Sequence, residues 1–267
     1  MSDTVKLGII TTGQGPRNEY VDYHQNVMKY LGVDVEIMSA HALDGLTSDQ
    51  INEIETKEGE KYIGCHIRVP GGTGDRMGPG WSHLGIDPLA LVPLYQKHID
   101  ALEAKGVEAT ILCCAEEYAI DAFHSNRPLI VPWLVVTEWT RVNTLYMAEP
   151  KVGILIPDEE HLQQNTETWN SQPWMDRLQI FIEVRKGRFD EALAEFKRQN
   201  VDMVINWGYG FGTAPEDPPD MIKRIEEASG APFILPARQA SIFARDLLRP
   251  SFDDRRFIRE HVVNTPT

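Results

Sequence analysis

The sequence predicts an α/β fold of two pseudo-symmetric, parallel-sheet halves with a cleft between them. Short apolar runs rich in Val and Ile alternate with longer amphipathic stretches, the pattern of strands buried under crossover helices. Strand then helix recurs along the chain, which argues for mostly parallel sheets. An internal echo supplies the third observation. Lys6-Leu-Gly-Ile-Ile-Thr-Thr-Gly13 resembles Lys151-Val-Gly-Ile-Leu-Ile-Pro-Asp158, and Val107-Glu-Ala-Thr-Ile-Leu-Cys-Cys-Ala115 can be laid on Val201-Asp-Met-Val-Ile-Asn-Trp-Gly-Tyr209.

Taken in order, a strand at 5–11 runs through a Gly/Pro turn into a helix at 18–31, and strands follow at 35–39 and 62–69. Residues 70–85 form a long glycine-rich loop before a helix at 87–105 and a strand at 108–114. A strand at 129–131 and a helix at 133–146 lead to the second copy of the pattern. That copy has strands at 151–157, 178–182, 203–207 and 233–235, with helices at 159–170, 189–199, 218–228 and 237–248. The expected division is 1–128 for the first half and 129–236 for the second, with residues 237–267 packing back on the first.

Composition narrows the function classes. The 267 residues are 42% apolar and 25% charged, enough to bury a full core. With 26 basic and 40 acidic residues the chain carries −14, so phosphate backbones and anionic lipid are repelled; neither nucleic acid nor a membrane is an expected partner. The longest apolar run, 129–136, is far short of a membrane span and contains Pro132. Three cysteines, Cys65, Cys113 and Cys114, and the absence of a basic, apolar leader lead us to expect a reducing cytoplasm.

In open α/β sheets ligands bind beyond the carboxyl ends of the strands, so the residues there are the candidates. Thr11-Thr-Gly-Gln-Gly-Pro-Arg17 follows the first strand. Its glycines permit close backbone approach, and Thr11, Thr12, Gln14 and Arg17 before a helix N-terminus suit a carboxylate or a phosphate; a plain Gly/Pro turn is the alternative. Along the fourth strand neighbouring side chains alternate, so at most one of Cys113 and Cys114 faces a cleft. Cys114, at the strand's end, is a candidate nucleophile or proton carrier, with a buried core cysteine as the alternative; Glu117 and Tyr118 follow it, while Cys113 and Cys65 read as core. Beyond the matching strand, Trp207, Gly208, Tyr209 and Phe211 offer a flexible, aromatic wall, or in part plain core. No metal-ligand spacing, phosphate loop or Gly-x-Ser-x-Gly elbow is present, and the Asp253–Arg256 charge run reads as a solvated tail.

Gly8 to Arg17, the strand ending in Cys114-Ala-Glu-Glu-Tyr118, and Gly153 to Pro157 followed by Gln163 and Trp169 together resemble the AroM family, over most of 5–248. That family is similar to the aspartate/glutamate racemase superfamily. The resemblance implies two α/β halves, no cofactor, frequent dimers, and two facing cysteines that move a proton beside a carboxylate. Cys114 falls on the first cysteine position, and the second falls on Gly208. One thiol suits a lyase, above all a decarboxylase of a small carboxylic acid, with Cys114 as proton donor and Thr11, Thr12 and backbone amides near Gly13 and Ala115 holding the oxyanion. A racemase or isomerase with Tyr209 or Glu117 as second carrier is the alternative, and a small-acid binding protein is a further one.

Overall fold

The computed structural model describes residues 4–57, 59–72, 79–213 and 220–248. In chain order the elements are β1 (Val5–Thr11), α1 (Asn18–Tyr30), β2 (Val35–His41), α2 (Ser48–Glu53), β3 (Ile63–Arg68), β4 (Trp81–Ile86), α3 (Pro88–Ala104), β5 (Ala109–Cys113), β6 (Leu129–Ile130) and α4 (Pro132–Thr144). They continue with β7 (Lys151–Ile156), α5 (Leu162–Trp169), β8 (Gln179–Val184), α6 (Phe189–Gln199), β9 (Met203–Asn206), α7 (Met221–Ser229), β10 (Phe233–Ile234) and α8 (Pro236–Leu248).

Two four-stranded sheets have the orders β2-β1-β5-β6 and β10-β9-β7-β8, and every pairing within them is parallel. Read from its other edge, the second sheet repeats the first: β7 stands for β1, β8 for β2, β9 for β5 and β10 for β6. The registers agree residue by residue. Ile10 pairs with Leu112, and Leu155, its counterpart, pairs with Asn206. One step beyond each pair, Cys113 matches Trp207; two steps beyond, Cys114 matches Gly208.

Alternation along the strands divides the apolar residues among four layers. Leu7, Ile9, Ile111 and Cys113 face α1 and α8, whereas Ile10, Leu112 and Cys114 face the α3 side. In the second sheet Ile154, Ile205 and Trp207 join Trp133 and Trp169 on one face, and Leu155 and Val204 join Phe196 and Phe233 on the other. Each sheet is thus buried on both sides, which explains its nearly continuous apolar strands. After β10 the chain returns to the first sheet. Ala237, Ala240, Ala244 and Leu248 of α8 pack with Leu7, Met28 and Cys113, and Ser241 Oγ lies 2.7 Å from His24 Nδ1 of α1.

Two elements differ from the sequence reading. Residues 62–69 do not join the parallel sheet: β3 pairs antiparallel with β4, which occupies the end of the stretch read as a loop. Gly85 and the two polar residues Ser82 and His83 hide the strand pattern of β4, while Ile86 is fully buried with Ile63 and Cys65. The tip of that stretch, 73–78, lies outside the described residues. Helix α2 is short and rests on a capping box, in which the Thr47 hydroxyl accepts from the Gln50 amide and the Gln50 side chain accepts from the Thr47 amide. The Asp253–Arg256 run also lies outside the described residues. Among the described residues no helix is long and apolar enough to cross a membrane.

Candidate functional site

The carboxyl ends of the two sheets meet at one seam. Ala115, just past β5, packs with Trp133, Trp169 and Trp207 of the second half's core. The three indoles form a mutual edge-to-face cluster with ring centroids 4.9–5.7 Å apart. Two hollows lie away from it, one of about 430 Å³ beside Asp100, Glu103 and Arg127 and one of about 60 Å³ beside Arg141, Trp174 and Arg177.

Alternation sends the two neighbouring thiols to opposite faces. Cys114 accepts a hydrogen bond from the Tyr118 hydroxyl at 3.8 Å and shares its apolar surroundings with Cys65 and Tyr95. Burial, and then the charge of Glu116, push its thiol up to about 12, so it is a neutral S–H at physiological pH. Cys65 donates to the Thr12 carbonyl at 3.3 Å. Cys113 lies on the α1 side, 3.9 Å from His24 Nε2, and burial pushes it up to about 12 as well. His24 is fully buried, with the Tyr209 hydroxyl 2.9 Å from Nε2 and Ser241 at Nδ1. Tyr209 therefore reaches from the second half into the first, where it also packs against Tyr20. Burial lowers His24 to about 3 and holds Tyr209 well above the usual phenol value.

The 11–17 turn is committed to its own protein. The Thr11 hydroxyl lies 2.8 Å from His41 Nδ1, and the Gln14 side chain bridges the Leu43 carbonyl and the Arg68 amide. Arg17 is 2% exposed; its Nε donates to Glu19 at 2.5 Å and its guanidinium stacks 4.6 Å over the Tyr20 ring. Gly13 makes the close approach: a Cβ there would stand 2.2 Å from the His66 carbonyl oxygen, and Gln14 N donates to that oxygen at 2.9 Å. The glycine thus accommodates the β3 backbone.

A polar row crosses the seam. Glu116 Oε2 accepts from Gln164 Nε2 at 3.1 Å and lies 3.9 Å from Lys61 Nζ; Glu117 accepts from Gln172 at 3.0 Å. Gln164 also exchanges two 3.2 Å hydrogen bonds with the Tyr62 backbone. His161, one turn earlier, holds Asp158 Oδ1 at 2.6 Å with its Nδ1, and the Tyr62 hydroxyl lies 3.4 Å from the same nitrogen. Burial raises the Glu116 carboxyl above its ordinary value despite Lys61 and Gln164. Nearby, Asn165 Oδ1 and Trp169 Nε1, one helical turn apart on α5, are buried without a partner among the described residues, a pairing that buried polar atoms rarely lack.

Of the residues singled out from sequence, Cys114 and Tyr118 stand together with Thr12 close by through Cys65. Thr11, Gln14 and Arg17 turn toward β2, β3 and α1; Trp207 is second-half core, and Tyr209 faces Cys113. Glu117 lies at the seam. Sequence reasoning missed His24, His41, Asp158 and His161. Asp158-x-x-His161 carried a signal, since it follows a strand at the position that Gly13 holds in the first half. Among the described residues no group of three or more His, Cys, Asp or Glu side chains is placed to hold a metal.

Paired parallel sheets with this strand order define an α/β protein of the aspartate/glutamate racemase-like fold. An allantoin racemase from Klebsiella pneumoniae shares it at 9% identity and a TM-score of 0.55, over 92% of this chain and 89% of that one. A glutamate racemase isoform from Bacillus anthracis superposes with a TM-score of 0.47 at 10% identity, over 94% and 83% of the two chains. The chain belongs to the AroM protein family, whose model matches residues 7–248. No curated protein matches the sequence.

Two outcomes follow from this geometry. Gly208 has φ +143°, while a Cβ there would meet nothing closer than Pro157 at 3.6 Å. Gly208→Ala is therefore expected to lose about 1–3 kcal/mol of stability through backbone strain alone, measurable by urea denaturation. His24 titrates near 3 in the fold against an ordinary 6.5, so between those values the unfolded chain binds the extra proton. Its contribution is present above pH 6.5 and is lost toward pH 3, by at most about 1.4 kcal/mol per pH unit, and Glu116, raised in the fold, acts in the opposite sense. Urea midpoints from pH 7 to 4 are expected to fall less steeply in His24→Asn than in the parent.

Proposed function

We propose that this protein is a cofactor-free enzyme of the racemase/isomerase class, moving a proton at the carbon beside the carboxylate of a small acid with an apolar or aromatic substituent. The observation that carries the reading is the Cys114 thiol, protonated at physiological pH at the end of β5 where the halves meet. A carbanion beside a carboxylate is far more basic than a thiolate, so a neutral S–H is a competent acid toward it. The shared fold with an allantoin racemase supports the same class.

Substrate chemistry follows from the surroundings. Glu116 and Glu117 disfavour a second negative charge, Lys61 brings a cation to the seam, and the three indoles offer an apolar wall. The unpartnered Asn165 and Trp169 atoms supply an acceptor and a donor for a bound molecule. Arg17, engaged by Glu19, is not the carboxylate anchor. Substrate access requires the Glu116–Gln164 and Glu117–Gln172 hydrogen bonds to part.

One observation favours a second reading. Gly208 stands where a second thiol would be, and decarboxylation needs only one acid to protonate the enolate it generates, in a pocket whose apolar wall destabilises a buried carboxylate. Incubation in heavy water with single enantiomers of small 2-substituted acids, followed by proton NMR and polarimetry, tests both. Deuterium at the 2-position with loss of rotation is expected, and Cys114→Ala is expected to lower it at least about 100-fold with unchanged circular dichroism. Carbon dioxide release from 2-substituted malonates without racemisation would favour the lyase. Thermal stabilisation by these acids with no turnover, or full activity in Cys114→Ala, would overturn the thiol mechanism.

A further inference from the structure

Racemisation removes a proton from one face of a carbon and returns one to the other, so Cys114 needs a counterpart. Gly208 cannot supply it, and the Tyr209 hydroxyl is bound to His24 with its phenol held well above the usual range. The second half offers another group at its strand ends. Asp158 and His161 lie just past β7 and within the turn that leads into α5. The His161 side chain is 13% exposed, and Asp158 accepts from its Nδ1 at 2.6 Å. A carboxylate at Nδ1 fixes the tautomer with the proton on that nitrogen, which leaves the Nε2 lone pair free, and Nε2 has no hydrogen-bond partner among the described residues. This is the orientation that a general base requires.

The imidazole and the thiol share a neighbour. Glu116, two residues beyond Cys114, raises that thiol through its charge, and His161 is among the groups that partly offset the effect of burial on the Glu116 carboxyl. Its carboxylate is bonded to Gln164, one turn past His161.

We propose that His161, oriented by Asp158, is the second proton carrier of the seam, working opposite Cys114. The inference rests on the racemase/isomerase reading. In one direction the substrate C–H bond breaks, its proton passes to His161 Nε2, and its electron pair moves into the carboxylate to form an enediolate. The Cys114 S–H then breaks, a new C–H bond forms on the opposite face, and a thiolate remains. Imidazolium and thiolate return to their starting forms by proton exchange with water, so no oxidant or reductant is consumed.

The test uses the full chain with each enantiomer of an acid that the wild type exchanges in heavy water. His161→Asn keeps a donor to Asp158 and removes Nε2. It is expected to lower racemisation at least about 100-fold, with the larger loss of deuterium exchange for the enantiomer whose proton passes to His161. Cys114→Ala is expected to spare exchange of that same enantiomer. Asp158→Asn, which keeps the imidazole but loses its orienting carboxylate, is expected to lower kcat with little change in KM. Wild-type racemisation by both His161→Asn and Asp158→Asn, with Cys114→Ala inactive, would overturn the role of the dyad and leave the racemase reading standing. No exchange by the wild type on any acid would overturn both. Equal loss for both enantiomers in His161→Asn, with Asp158→Asn unaffected, would also overturn the dyad.

Discussion

Titratable groups buried where two sheets end must be neutral or paired, because an uncompensated charge there costs several kcal/mol. Each group at this seam meets that constraint in its own way. Arg17 is paired with Glu19 and covered by Tyr20, while His24 stays neutral between Tyr209 and Ser241. Both Cys113 and Cys114 remain thiols. Burial raises the Glu116 carboxyl above its ordinary value, and Lys61, Gln164 and His161 offset that only in part. Arg17 is engaged by Glu19 and Lys61 stands beside Glu116, so the described residues of the seam offer little unpaired positive charge for a multiply charged anion.

The strand period of two decides what each buried group touches. Had β5 paired with β1 one residue out of register, Cys114 would face α1 and His24, and Cys113 would face Tyr118. Instead Cys113 belongs to the network that ties α1, α8 and Tyr209 together, and Cys114 to the α3 side beneath the β3–β4 hairpin. Adjacent cysteines thus occupy environments with different partners, though burial raises both by similar amounts.

How far the sequence discloses this follows from which forces are local. Alternation and the internal echo place β1, β5, β7 and β9 and make Cys114 and Gly208 equivalent, because strand period and parallel pairing are written in neighbouring residues. The partners of Arg17, Gln14 and Thr11 are not legible. They depend on the hairpin and on β2 folding over the turn, which no pattern within 11–17 encodes. His24 and Ser241 are 217 positions apart, and only the return of α8 to the first sheet joins them. The β4 strand is obscured by its own composition, since Gly85 admits the Tyr62 ring against its backbone and so carries no side chain to mark a face.

Comparison of the two halves position by position shows where their internal symmetry fails. After β1 stands Gly13 and after β7 stands Asp158; after β5 stands Cys114 and after β9 stands Gly208. Each half therefore keeps a titratable side chain at one of these two strand ends and a glycine at the other, and the two choices are opposite. Both glycines are constrained by backbone, Gly13 by the approach of β3 and Gly208 by its positive φ. Restoring symmetry by single substitutions would strain the chain at either point. The arrangement leaves a thiol past β5 in one half and an imidazole past β7 in the other. Were both to carry protons as proposed, unlike groups would treat the two faces of a substrate carbon unequally, and the protein's chirality would be expressed in the chemistry of its proton carriers as well as in the shape of its site.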